Sequence, residues 1–210
     1  LRRWWPPSPV SSLPAPALRL GLFGGTFDPV HRGHLEAARQ VKEALDLDRM
    51  LLMVANDPWQ KDGGVVASAE DRLAMVTAAC VDCPGLEPGR MEIDRGGVTY
   101  TVDTVDELLE ANPGARIYLV VGADVVSQLP TWGGAERLSH LVTVAVINRP
   151  GAEIGPVPPG WNVEVVEVEP LDISSTGVRE RLRTGGEVDG LLPPPVVRLL
   201  EERPLYAANR

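Results

Sequence analysis

From residue 18 onward the apolar positions follow two alternating rhythms. Leu18–Phe23 (LRLGLF) is a short apolar run that reads as a buried strand. His34–Leu47 (HLEAARQVKEALDL) places Leu35, Ala38, Val41 and Leu45 on one helical face. Arg49–Ala55 (RMLLMVA) is a second strand. Ser68–Val81 opens with Ser68 and Asp71 in a pair like a capping box, and Leu73, Val76 and Cys80 recur at helical spacing. Arg90–Asp94 (RMEID) reads as a short strand. Thr101–Asn112 is a helix ended by Asn112-Pro113-Gly114. Arg116–Asp124 (RIYLVVGAD) is a buried strand with a turn after it. Leu141–Gly151 is another, closed by Pro150-Gly151, and Asn162–Glu169 alternates as an edge strand does. Ser174–Gly185 and Pro193–Tyr206 are two further helices, the second with a proline entry. The proline-rich stretch at 150–161 reads as a surface loop, and no internal repeat is visible.

Near-continuous apolar strands that alternate with helices define the α/β class, with a parallel sheet covered on both faces. Crossovers should be right-handed and a ligand should bind at the carboxyl ends of the strands. The expected architecture is a Rossmann-like, doubly wound parallel sheet with a small helical C-terminal part from about residue 171, all within one domain over 18–206. Residues 1–17 are broken by prolines and lack the apolar run of an export signal, so they read as a disordered leader. No apolar run approaches the ~20 residues of a membrane span.

A chain of 210 residues suits one domain. Its 20 basic and 29 acidic side chains leave a net charge of −9, which argues against a nucleic-acid partner. Any bound phosphate must therefore meet local positive charge, helix N-termini or a metal ion. The two cysteines, Cys80 and Cys83, form a CxxC that could serve redox chemistry or half a zinc site. A zinc site needs a second ligand pair, which the chain lacks, and Cys80 falls on an apolar stripe. They read as ordinary thiols of a reducing cytoplasm.

The chemistry concentrates in GLFGGTFDPVHRGHLEA, residues 21–37. The first strand ends at Phe23, and Gly24 and Gly25 allow close backbone approach to a ligand. His31 lies in the following loop and His34 in the first turn of a helix. Both stand at the carboxyl end of the first strand, beside the unpaired N–H groups of a helix N-terminus. Two imidazoles there can hydrogen-bond phosphate oxygens and stabilise charge that builds up in a transition state. Neither the P-loop pattern nor the dinucleotide fingerprint nor the H-E-x-x-H spacing occurs. A second anion site is expected at DISSTGVRER, where Ser174, Ser175 and Thr176 open a helix after Ile173 and Arg179 lies one turn on.

GGTFDPVHRGH with the downstream ISSTGVR resembles the HxGH nucleotidylyltransferase superfamily and, within it, the bacterial nicotinate mononucleotide adenylyltransferases. PWQK (58–61), DRGGVTYTVDT, VVGADVVSQLPTW, VINRPG and LLPPPVVRLLEERPLY extend the resemblance from about Leu18 to Tyr206. It implies adenylyl transfer from ATP to nicotinate mononucleotide, with pyrophosphate released. The resemblance assigns His31, His34 and Thr26 to the triphosphate, with Gly24, Gly25 and Phe27 around it. It gives Ser175, Thr176 and Arg179 the far phosphates, Gly122 and Asp124 the adenosine, and Ile173 a place near the base. Trp132 is either the stacking plate for the pyridine ring or an ordinary core tryptophan. Backbone N–H groups of Gly133, Thr101 and Val102 would hold the nicotinate carboxylate, and Asn56 and Lys61 the acceptor phosphate. Arg149 either assists there or is a solvated surface residue. Mg²⁺ would bridge phosphate oxygens, with no dedicated protein ligand assigned.

Three positions depart from the family's usual pattern, the first being Val54, where the loop before PWQK usually begins with a proline. Asp57 places a carboxylate near the expected acceptor phosphate, and Gly133 stands where many members carry a large side chain. The acceptor is thus less constrained than the reaction. Nicotinamide mononucleotide, more remotely phosphopantetheine, and a non-catalytic nucleotide-binding module remain alternatives. The oligomeric state is open, with a homo-oligomer among the options.

Overall fold

The computed structural model describes residues 17–57 and 65–207. Residues 1–16, most of the expected leader, lie outside them, as does Lys61. Six strands form one parallel sheet: β1 Arg19–Gly25, β2 Arg49–Val54, β3 Leu86–Gly89, β4 Arg116–Gly122, β5 Val142–Asn148 and β6 Val163–Glu167. Their spatial order is β3-β2-β1-β4-β5-β6. The order reverses between β1 and β4, and the crevice outside their carboxyl ends is where such a sheet receives ligands.

The sheet is covered on both faces because side chains alternate along each strand. Met50, Leu52 and Val54 of β2, with Tyr118 and Val120 of β4, join one core. That core also takes residues of helices α1 Arg32–Ala44, α2 Ala69–Cys80, α6 Ser175–Thr184 and α7 Pro194–Glu202. Leu51, Met53, Ile117, Leu119 and Val121 point the other way. They meet helix α4 Thr101–Ala111, helix α5 Ala135–Leu141 and a 3₁₀ segment, Ala123–Thr131. Val178, Val196 and Leu200 bury themselves in the α1–α2 core, so the C-terminal helices share the main interior.

The expected strand over 90–94 is instead a helix, α3 Met91–Arg95, and β3 lies just before it. The period-2 pattern of RMEID misled because Glu92 is buried for a polar reason. It accepts a hydrogen bond from Thr104 Oγ1 at 2.9 Å, and Arg95 Nη2 donates to the same hydroxyl at 2.8 Å. β3 reads poorly because its sequence is LEPG. As an edge strand it tolerates Pro88, and a Cβ at Gly89 would come within 2.7 Å of the Met53 side chain. β6 pairs only with β5, so its alternating pattern is that of an edge. Cys80 is buried and Cys83 half-buried, both as free thiols, and burial pushes the Cys80 thiol up to about 12. Among the described residues no group of three metal-ligating side chains stands together, and no helix is long and apolar enough to cross a membrane.

Candidate active site

β1 delivers Gly24 and Gly25 to the reversal point of the sheet, and the chain then turns through Thr26–Val30 into α1. A Cβ on Gly25 would strike the Phe27 ring at 2.8 Å, whereas one on Gly24 would meet nothing within 4 Å. Gly24 therefore keeps a space open rather than relieving a contact. Phe27 has a φ of 51°, uncommon for a bulky residue, and is buried. That conformation turns its ring into a wall, edge-on to Phe23 at 6.0 Å and to His34 at 5.1 Å between centroids.

His31 caps α1, and His34 occupies the third helical position. The two rings stack, with centroids 3.7 Å apart and planes inclined by 25°. The His31 backbone N–H donates to His34 Nδ1 at 3.2 Å. The proton of neutral His34 therefore sits on Nε2, a donor. His31 is only 6 % exposed, and its Nδ1 has no hydrogen-bond partner. Burial lowers its pKa from 6.5 to about 4, so the ring is neutral near pH 7. Gly33 packs tightly against it: a Cβ there would stand 3.0 Å from His31 Nδ1.

Two cavities meet at these histidines. One, of about 490 Å³, is lined by Gly24, Gly25, Thr26, Phe27 and His34, and farther out by Glu92, Thr99, Tyr100, Thr101, Trp132 and Gly133. The other, of about 460 Å³, runs past both histidines to Asp124, Asn148, Arg149, Leu171 and Ile173. Phe23, His34 and Gly122 belong to both. His34 thus stands between two compartments, each large enough for part of a nucleotide, with His31 on the side of the second.

Most of the expected residues gather here. Ile173, Asp124 and Gly122 line the second cavity, and the Asp124 carboxylate folds back to within 2.5 Å of where a Gly122 Cβ would be. Thr101 and Val102 open α4, so their N–H groups have no helical acceptor. The Val102 side chain itself is buried in the core. Trp132 is half-buried, lines the first cavity and buries an Nε1 without a partner. Gly133 is explained by Tyr100, whose ring would lie 2.5 Å from a Cβ at that position.

Other expected residues are also tied to the scaffold. Ser175 Oγ donates to the Pro29 carbonyl at 3.0 Å, so its backbone N–H is what remains for an anion. Arg179 Nη2 donates to Thr176 Oγ1 at 3.2 Å, and Nη1 to the Asp28 carbonyl at 2.7 Å. Asn56, expected at the acceptor phosphate, gives its Nδ2 to the Gly97 carbonyl at 3.0 Å. That bond bridges two loops, and exposed Asp57 pairs with Val98 beside it. Arg149, expected on the acceptor side, lines the opposite cavity.

Nothing in the local sequence marks a role for Asp28, Arg72, Glu92, Thr104 or Tyr206. Asp28, Thr104 and Tyr206 lie within stretches that carry the resemblance, yet nothing local shows that all three turn inward. Burial raises the Glu92 carboxyl from 4.5 to about 7, against the lowering effect of the Thr104 hydrogen bond and of Arg95. Thr99 Oγ1 also lowers it, though that hydroxyl makes no well-formed hydrogen bond.

These two shifted groups give the chain opposed pH responses. Between its unfolded value of 6.5 and its folded value of about 4, His31 binds protons more readily when unfolded. Its contribution to stability is therefore lost as pH falls through that window, by up to about 3 kcal/mol. Glu92 keeps its proton in the folded state up to about pH 7, so its contribution is lost as pH rises from 4.5 through 7, again by up to about 3 kcal/mol. The slopes oppose each other where the windows overlap, and single variants separate them. Glu92→Gln is expected to gain stability relative to the parent as pH rises from about 5 to about 8, read as urea midpoints. An unchanged difference between the two pH values would show that Glu92 is not held protonated.

The fold and the paired histidines define a nucleotidyltransferase, and the chain belongs to the cytidylyltransferase-like family, whose model matches residues 22–181. It is 42% identical over 193 residues to a protein of Corynebacterium kroppenstedtii named "Probable nicotinate-nucleotide adenylyltransferase", covering 90% of both chains. A protein of Streptomyces coelicolor with the same name is 43% identical over 185 residues, covering 88% of this chain and 98% of that one. Among solved structures, the nicotinic acid mononucleotide adenylyltransferase of Plasmodium falciparum complexed with NaAD has the same fold. It superimposes with a TM-score of 0.74 at 16% identity, over 91% of this chain and 98% of that one.

Proposed function

We propose that this chain is a nicotinate-nucleotide adenylyltransferase: it transfers the adenylyl group of ATP to nicotinate mononucleotide, giving nicotinate adenine dinucleotide and pyrophosphate in NAD biosynthesis. The observation that carries the reading is the stacked His31–His34 pair at the strand-order reversal, with His34 lining two cavities that each suit part of a nucleotide. ATP occupies the compartment of Asp124 and Ile173, and the acceptor that of Trp132 and Tyr100.

The acceptor's phosphate oxygen attacks the α-phosphorus of ATP, one P–O bond forms, and the bond to the β-phosphate breaks with pyrophosphate leaving. The nucleophile is already ionised, so no general base is needed, and positioning and charge stabilisation carry the rate. His34 Nε2–H donates a hydrogen bond to a phosphate oxygen and keeps its proton, and the Gly24–Gly25 backbone allows close approach. Arg179, Thr176 and the first N–H groups of α6 meet the outgoing pyrophosphate. On the other side, Trp132 faces the pyridine ring, while the N–H groups of Thr101, Val102 and Gly133 receive its carboxylate.

Mg²⁺ fits this site in one manner only. Asp28 is already hydrogen-bonded by backbone and tyrosine donors, and no cluster of three protein ligands exists among the described residues. Phosphate oxygens and water would then hold the ion, which offsets phosphate charge when bound. A cytoplasmic location is part of the same proposal, supported by its substrates and by two thiols that suit a reducing compartment.

The test is pyrophosphate release from ATP and Mg²⁺ with nicotinate mononucleotide and nicotinamide mononucleotide offered separately. The acid is expected to be preferred by on the order of 10²-fold or more, because the amide leaves carboxylate donors poorly paired. Preference for the amide would keep the reaction and overturn the assignment around Trp132. Silence with both would overturn the reaction.

A further inference from the structure

One carboxylate, which the catalytic reading does not use, collects partners from across the chain. Asp28 is 2 % exposed. Its Oδ1 accepts the Tyr206 hydroxyl at 2.7 Å and the Ala67 N–H at 3.1 Å, and its Oδ2 accepts the Val66 N–H at 2.9 Å. Arg179 Nη1 reaches the same residue twice, at 2.7 Å to the carbonyl and 4.0 Å to Oδ2. Beside it, Arg72 is 1 % exposed and spreads its guanidinium over the carbonyls of Thr26, Asn56 and Ala67, at 2.8, 3.1 and 3.3 Å. The loop after β1, both ends of the β2–α2 connection, α6 and the C-terminal Tyr206 thus converge on two buried charges.

A negative charge next to a polyphosphate site is unfavourable unless something fixes and offsets it. Here two backbone donors, one hydroxyl and two guanidinium groups do so. Burial and the bond to Asp28 push the Tyr206 pKa upward, so its hydroxyl remains a donor at any physiological pH. The return is paid at Arg179. Two of its five N–H groups are committed, to Asp28 and to Thr176, and the side chain is held in one orientation before ligand arrives. A guanidinium ordered in advance loses less freedom on meeting a phosphate.

We infer that Asp28 and Tyr206 are positioning residues for ATP, with Tyr206 fixing Asp28 and Asp28 holding Arg179 in its phosphate-binding orientation. The inference rests on the reading of Arg179 as an ATP phosphate ligand. It assigns the C-terminal segment a part in catalysis through a single hydroxyl, at a residue that touches no substrate.

A double-mutant cycle between Tyr206→Phe and Arg179→Ala tests it, with kcat and KM measured separately for ATP and for nicotinate mononucleotide. Tyr206→Phe should lower kcat/KM for ATP about tenfold while KM for the acceptor stays within about twofold. Arg179→Ala should lower kcat/KM for ATP on the order of 10²-fold, and adding Tyr206→Phe to it should change that by less than about twofold. A merely structural role would reduce turnover for both substrates alike and would multiply with Arg179→Ala. That outcome overturns the inference, as does a Tyr206→Phe protein that matches the parent. Asp28→Asn taken through the same cycle gives the same decision if Tyr206→Phe does not fold. Inactivity of the parent itself would count against the proposed reaction instead, and an unaffected Arg179→Ala against Arg179 as a ligand.

Discussion

Turnover of the His34→Ala variant should fall on the order of 10²–10³-fold, with a much smaller change in KM for ATP, because the lost donor acts mainly in the transition state. The geometry leaves the ring little choice of role. Its Nδ1 already accepts the His31 N–H, and the Phe27 ring stands edge-on 5.1 Å away. The stacked His31 ring covers one face. His34 also lines both cavities. His31→Ala should lose turnover on the same scale, since it removes the support of that stack as well as a second imidazole. Because His31 resists protonation until about pH 4, its own ionisation should leave no inflection in the rate profile at neutral pH. Turnover within a few-fold of the parent for His34→Ala would remove the imidazole from the chemistry.

Gly24→Ala should separate folding from function more sharply than any other single change. The added methyl meets nothing within 4 Å in the chain, and Gly24 does not require a positive φ. Stability should therefore be unchanged or rise by about 0.4–1 kcal/mol, from the reduced freedom of the unfolded chain. Yet the methyl projects into the cavity where the phosphates must approach the backbone, and kcat/KM for ATP should fall on the order of 10²-fold. Thermal unfolding and steady-state kinetics on one preparation decide it. Normal activity would mean that the phosphates do not pass over Gly24. Gly25→Ala is a different experiment, because its methyl strikes the Phe27 ring and disturbs the wall behind His34.

Legibility in the sequence followed locality. β1, β2, β4 and β5 were readable because a strand buried on both faces must be apolar along its length, and α1, α2 and α4 because one face repeats every three to four residues. α3 was misread and β3 misplaced because their positions depend on partners distant in sequence. Glu92 turns inward only where Thr104 and Arg95 receive it, and LEPG is a strand only because β2 offers it an edge. The 3₁₀ segment and α5 carry too few turns to signal themselves.

The candidate site divides in the same way. Gly24, Gly25, His31 and His34 lie within eleven residues of one another, and the strand–turn–helix that arranges them is encoded where they stand. Ser175 and Asn56 were expected at phosphates from the family resemblance, and each gives a side-chain donor to a backbone carbonyl of another segment.

The sequence by itself determined the fold class, the order of its main elements and the chemistry of the loop after β1, since each rests on short-range periodicity or adjacent residues. The tertiary structure alone decided which side chains are spent on holding that loop. Asp28 and Tyr206 are 178 positions apart, and Arg179 is 151 from Asp28. No local pattern marks a pair that meets only after the sheet has formed. A buried charge must find whatever partners the fold brings within reach, and those partners are set by topology rather than by sequence neighbourhood.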